Sequence, residues 1–196
     1  ESDIVKTDGE YIYLVSGNKV LIVEAYPPQG AGVLSKITFG NDTYPVGVFV
    51  DHDRLAVLGS KYTSPSLGYY GSFYIDVKTF VNVYDISDTR NPVLLRNFTM
   101  SGSYFSSRKI GDYVYFVISQ PAYVIYDTVV LPKIYSNGGI KEISASEIHY
   151  SSASDDYYQF TTIVALNMQN ANEEPARMTL MLGGTSTMYV SLDNIY

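Results

Sequence analysis

The chain has 196 residues, of which 46% are hydrophobic, and this is enough apolar material for a folded core. Its net charge of −7, with 13 scattered basic residues, argues against a nucleic-acid-binding protein, which depends on clustered Lys and Arg. The absence of cysteine excludes disulfides and thiolate sites, and no apolar run reaches the ~18 residues that cross a bilayer.

The composition favours an all-β fold. The chain contains 20 tyrosines together with many Val, Ile and Thr residues, and these types suit half-buried pleated sheets. Gly and Pro, with 15 and 8 copies, supply turns. No long segment shows a 3.6-residue apolar period, so helix is expected to be minor.

The predicted strands repeat one unit along the chain. The segment GEYIYLVSG at 9–17 matches GDYVYFVIS at 111–119, and weaker copies lie at 53–60 and 186–194. A short strand precedes each of the first three copies, and two further strands follow it, separated by turn-rich connections. Four antiparallel strands in sequence, repeated every roughly 40–60 residues, are typical of a β-propeller.

The repeats divide the chain into about three propeller blades within one partial domain. The predicted blades are 1–40, 41–102 and 103–184, and 185–196 begins the next. The uneven spacing predicts insertions at 60–78 and 120–160, between the second and third strands of their blades. These connections emerge on the same face of a propeller, which we call the insertion face.

The residues that carry the repeat also resemble a known family. The segments at 3–27 and 83–121, with SASEIHY and YYQFTTIVALN further on, are similar to archaeal and bacterial secreted proteins whose β-propeller domain is distantly related to WD40 repeats. The resemblance covers nearly the whole chain. It implies an extracellular or cell-surface location, and it assigns no catalytic residues.

No catalytic constellation stands out in the sequence. His52 and His149 are the only histidines, His52 lies in a predicted turn, and no serine has a nucleophile-elbow context. Acidic pairs occur at Asp51/Asp53, Asp85/Asp88, Asp155/Asp156 and Glu173/Glu174. They lack the alternating spacing of a calcium loop, so turn closure is favoured, with calcium as the alternative and no cofactor expected.

Two segments satisfy the acceptor rule for N-glycosylation, at Asn41 and Asn97. Asn41 lies in a predicted connection between blades and is the better candidate. Asn97 lies inside a predicted outer strand, where only an outward-facing side chain could be modified.

Tyrosines in the insertions are the candidate interaction residues. They stand among Gly, Ser and Pro, a mixture typical of binding loops, although they could instead pack the insertions against their own blades. The candidates are Tyr62, Tyr69, Tyr70, Tyr74, Tyr157 and Tyr158.

Three functions remain open from the sequence. The first is a non-enzymatic extracellular module that binds a protein or glycan through the insertion face. The second is a fragment of a secreted hydrolase whose site is completed by further blades. The third is a structural surface protein that associates with itself through exposed blade edges.

Overall fold

The computed structural model describes the chain apart from residues 64–65, 68–72, 75, 126, 137–138, 152–156, 185–190, 192–193 and 195–196. The described part consists of strands and turns with two single-turn 3-10 helices, Pro28–Gly30 and Ala145–Glu147. Within it, no helix has the length and apolar character needed to cross a membrane. The all-β prediction is confirmed.

The first sheet contains four antiparallel strands in chain order: β1 (Val5–Thr7), β2 (Tyr11–Ser16), β3 (Lys19–Glu24) and β4 (Gly32–Thr38). Alternation along β2 and β3 buries Tyr13, Val20 and Ile22 on one side of this sheet. The opposite side carries Ile12 and Leu14, which are only partly buried.

The next strands are β5 (Thr43–Asp51), β6 (Arg54–Tyr62), β7 (Ser66–Leu67), β8 (Phe73–Tyr74), β9 (Val77–Asp85) and β10 (Val93–Ser101). Four of them, β5, β6, β9 and β10, form the antiparallel centre of the second sheet. The first insertion carries β7 and β8, which pair only with each other among the described strands. His52 occupies the two-residue turn between β5 and β6 with a φ of 52°, and its side chain is exposed, as a turn residue should be.

The remaining strands are β11 (Ser103–Ile110), β12 (Tyr113–Pro121), β13 (Val124–Ile125), β14 (Thr128–Val129), β15 (Lys133–Ser136), β16 (Gly139–Glu142), β17 (Ile148–Tyr150), β18 (Gln159–Asn167) and β19 (Ala176–Leu182). The third sheet is built around β11, β12, β18 and β19, which are antiparallel and follow one another across the sheet.

The second insertion adds strands to two different sheets. Strand β15 pairs with the end of β10, so the β15–β16 hairpin extends the second sheet to six strands. Strand β17 pairs in parallel with β19 and becomes the outermost strand of the third sheet. Ile134 and Ile143 of this segment are buried in the core between the two sheets. We call residues 133–150 the edge staple, an element that the repeat pattern does not predict.

Two hydrophobic cores lie between neighbouring sheets. Tyr13 and Ile22 of the first sheet pack with Leu55 and Val57 of the second. Residues on the other side of the second sheet pack against the third, as Leu58 does with Phe116. Each central strand therefore uses alternate residues for the preceding and the following sheet.

Equivalent positions of the repeat confirm this arrangement. Leu55 and Val114 both face the sheet that precedes their own and are completely buried. Their equivalent in the first sheet, Ile12, lies on the side away from the second sheet and is only partly buried. Successive antiparallel sheets packed face to face in chain order form a partial β-propeller, and each sheet is one blade.

Candidate binding site on the insertion face

A cavity of about 280 Å³ opens where the ends of the second and third blades meet. Asp76 and Val77 line it from the end of the first insertion, and Gln120 lies at the start of the second. Tyr123 and Tyr135, further along the second insertion, complete the wall. The cavity is therefore shared by the flanks of both insertions.

A hydrogen-bond network fixes the polar floor of this cavity. The Ser101 hydroxyl donates to Gln120 Oε1 at 2.6 Å and accepts from the Lys133 backbone N–H at 2.8 Å. Gln120 Nε2 donates to the Val130 carbonyl at 3.1 Å. Ser101 and Gln120 are both buried, so these bonds satisfy groups that would otherwise be costly to desolvate. They also connect the second insertion to Ser101, which is the last residue of β10 in the second blade.

Gly102 allows the second and third blades to join beside the cavity. Its φ of 106° is one that other residues rarely adopt. A Cβ atom there would lie 2.7 Å from Ile118 Cγ2 and 2.9 Å from the Ser119 carbonyl oxygen. Its N–H donates to the Val77 carbonyl at 2.8 Å, which holds the link between the blades against the start of β9.

Charged and aromatic groups meet at one wall. Lys78 Nζ lies 3.3 Å from Asp76 Oδ2 and 4.2 Å from the centre of the Tyr135 ring. Lys78 therefore connects the Tyr135 ring, through a cation–π contact, with Asp76 of the first insertion, through an ion pair. An apolar ring beside fixed donors and acceptors suits a ligand that presents both apolar and hydroxyl-bearing faces.

Three of the predicted tyrosines, Tyr62, Tyr157 and Tyr158, can be located relative to this cavity. Tyr62 is 43% exposed at the end of β6, and its ring stacks edge-on with Tyr44 at 5.7 Å. Tyr157 is 52% exposed. The backbone N–H of Ala122 donates to the Tyr158 carbonyl, which brings Tyr157 and Tyr158 close to Tyr123.

The other predicted tyrosines cannot be placed at this site. Tyr69 and Tyr70 lie outside the described residues, and Tyr74 is described only as part of β8.

Sequence reasoning missed Tyr123 and Tyr135. Tyr123 is 45% exposed and lies two residues after Pro121 in the second insertion, which is a signal comparable to that of the selected tyrosines. Tyr135 lies in the edge staple, and only the fold brings it to Lys78.

The two glycosylation candidates have different surroundings. Asn41 is exposed in the turn that follows the first blade. Asn97 is also exposed, but it lies within β10, and its Nδ2 donates to Asn82 Oδ1 at 2.9 Å. Thr99, the third residue of that acceptor segment, donates to Asn97 Oδ1 at 3.3 Å.

The acids at the end of β9 close turns, as predicted. Asp85 accepts a hydrogen bond from the Ser87 N–H at 2.9 Å, and Asp88 accepts from the Arg90 N–H at 3.0 Å. Hydrogen bonds from Ser87 lower the pKa of Asp85, and those from Asn91 and Arg90 lower that of Asp88. Across the described part of the chain, no three potential metal ligands come together.

Comparison with known proteins agrees with the fold. The family model described as a β-propeller domain matches residues 1–196. Searches of curated proteins and of solved structures gave no match. Since the matched residues span the sequence, the chain belongs to the β-propeller domain family.

Proposed function

We propose that the chain is a non-enzymatic extracellular module that binds a glycan or protein partner through the insertion face. The observation that carries the proposal is the cavity shared by both insertions, with exposed tyrosines beside a rigid polar floor. Tyrosine provides a large contact area at low entropic cost together with a hydroxyl group, which suits recognition of sugars and proteins. The extracellular location is supported by the resemblance of the repeats to secreted propeller proteins.

The geometry favours recognition over catalysis. The one described acid of the cavity wall, Asp76, is paired with Lys78, and the other polar groups of the floor are satisfied by one another. Paired groups of this kind are suited to holding a partner in a fixed orientation. A glycan fits this mixture best, because its ring C–H groups contact aromatic faces while its hydroxyls donate to the Asp76 carboxylate, which is 31% exposed and keeps spare acceptor positions beside its ion pair.

Binding to a glycan array, followed by calorimetry with the strongest glycan, tests the proposal. Tyr123→Ala is expected to weaken binding about tenfold, because one exposed aromatic contact contributes about 1–2 kcal/mol. Tyr26→Ala is the matched control, because Tyr26 is 70% exposed in the connection between β3 and β4, at the opposite end of the blades.

Binding to intact cells, before and after enzymatic removal of surface glycans, separates a glycan from a protein partner. Loss of binding after glycan removal identifies a glycan, and retention identifies a protein. Equal binding by Tyr123→Ala and the unmodified chain in both assays, with the fold intact, would contradict the proposal.

A further inference from the structure

A second cavity, of about 330 Å³, lies on the side of the molecule between the second and third blades. It shares none of its lining residues with the cavity on the insertion face. Its apolar part is formed by Phe98, Ile134 and Val164, all buried in the core between these blades. Its basic residues come from three different strands, with Arg96 on β10, Lys141 on β16 and Arg177 on β19, and the acidic residue that lines it is the exposed Glu174.

The charge at this cavity is opposite to that of the chain. Three basic side chains converge there in a protein whose net charge is −7. Arg177 is neutralised by Glu147, since its Nη2 lies 2.9 Å from Glu147 Oε1. Among the described residues, no carboxylate forms an ion pair with Arg96 or Lys141. Lys141 is exposed, whereas Arg96 is half-buried, and a half-buried cation without a counter-ion is costly because desolvation is not repaid by a neighbouring charge.

The Arg96 guanidinium uses only part of its hydrogen-bonding capacity. Its Nε and Nη2 both donate to the Ala171 carbonyl, which occupies one edge of the group. Its Nη1 is buried and finds no acceptor in the described part of the protein. A guanidinium has two edges that can each bind two oxygens, and the second edge of Arg96, which carries Nη1, has no acceptor among the described residues. Because Nη1 is closed to solvent in this conformation, an anion in the cavity binds this edge once the Arg96 side chain turns toward it.

We propose that this cavity binds an oxyanion, either the carboxylate group of an acidic sugar or a free inorganic anion. Arg96 binds two of its oxygens, and Lys141 adds a second positive charge from the edge staple. The apolar residues behind them lower the local dielectric and strengthen this attraction. The site is independent of the proposed glycan or protein binding at the insertion face.

Titration at constant ionic strength, followed by the arginine Nε–Hε signals in NMR spectra, tests the site. The probes are sodium sulfate and glucuronate, with glucose as the uncharged control. Both anions are expected to shift the Arg96 signal saturably, and glucose is not. Tighter binding of glucuronate identifies an acidic sugar as the occupant, whereas tighter binding of sulfate identifies a free inorganic anion.

Variants assign the binding to this cavity. Arg96→Gln is expected to weaken binding about tenfold or more, because a charge-assisted bidentate contact is lost. Arg90→Gln removes the same charge at an exposed position outside the cavity and is expected to bind normally. Glu174→Gln removes an exposed carboxylate from the cavity wall and is expected to strengthen binding several-fold.

If Arg96→Gln does not fold, variants at two exposed positions still test the proposal. In that case Lys141→Ala, followed through the Arg96 signal, must weaken binding and Glu174→Gln must strengthen it. Absence of a saturable shift with either anion, or unchanged affinity in these variants, would overturn the proposal. Tyr123→Ala is expected to leave anion binding unchanged, so failure of the insertion-face proposal and failure of this one are distinguishable.

Discussion

Lys109 of the third blade forms an ion pair with Asp51 of the second, with 3.1 Å between Nζ and Oδ2. The two side chains are 23% and 17% exposed. Gln169 adds hydrogen bonds from its Nε2 to the carbonyl and to Oδ2 of Asp51. Burial raises the pKa of Asp51, but the bonds from Lys109 and Gln169 lower it more, so the pKa lies below its usual value.

Asp51→Asn is expected to lower the free energy of unfolding at pH 7 by about 1–2 kcal/mol, between the values of exposed and buried ion pairs. Because the pKa of Asp51 is depressed by folding, its contribution is complete above the unfolded pKa of about 3.9 and is lost as the pH falls below it. Urea unfolding at pH 7 and pH 3 should therefore show a difference between variant and parent that shrinks in acid.

Asp112→Asn is the matched control for this ion pair. Asp112 is exposed in the turn between β11 and β12, at the same end of the third blade. Its substitution is expected to change stability by less than about 0.5 kcal/mol. An Asp51→Asn effect as small as that of the control at pH 7 would show that the ion pair contributes nothing.

The edge staple is expected to stabilise the boundary between the second and third blades. Ile143 is 1% exposed in the core and Ile140, in the same segment, is 67% exposed. Ile143→Ala should cost about 2–4 kcal/mol and Ile140→Ala less than about 0.5 kcal/mol, as thermal or urea unfolding would show. Equal effects of the two variants would mean that the staple is not part of the core.

The end face of the first blade is expected to contribute less than the faces between blades. Leu55 is completely buried against the first blade, whereas Leu14 lies on that blade's other side and is partly exposed. In the 196-residue chain, Leu55→Ala should cost about 2–4 kcal/mol and Leu14→Ala about 1 kcal/mol. A cost for Leu14→Ala that matches Leu55→Ala would show that another surface covers Leu14.

Asn41 is expected to carry more glycan than Asn97 when the chain is produced in a glycosylating host. Asn41 lies in an exposed turn, whereas the Asn97 amide is bonded to Asn82 within a paired strand. Site occupancy measured by mass spectrometry checks this, with Asn41→Gln as the variant that should remove most of the glycan. Higher occupancy at Asn97 would contradict the prediction.

The sequence predicts the strands well because their signals are local. The segment 103–110 reads as a strand from its alternation and turn residues, and the structure places β11 at Ser103–Ile110. The repeat of Tyr and β-branched residues likewise indicates β2 and β12, which are central strands of the first and third sheets. Acidic turn closure at Asp85 and Asp88 follows from side-chain chemistry within four residues.

The staple and both cavities could not be predicted in this way. Strands β15, β16 and β17 are only three or four residues long, which is too short for a recognisable alternation. The partners of β15 and β17, which are β10 and β19, lie far away in the sequence, so these pairings depend on the assembled blades. The contacts of Arg96 with Ala171 and of Lys78 with Tyr135 also join residues that are distant in the sequence, so they too depend on the assembled blades.

The edge staple has a consequence for how such proteins evolve. Propellers ordinarily grow or shrink by duplication or loss of single blades, because each blade is a separate unit of the chain. Here one segment of the third blade supplies the outer strands of both the second and the third. These two blades are therefore expected to be inherited, duplicated or deleted as a pair, with recombination breakpoints before Thr43 or after Leu182 and not between them.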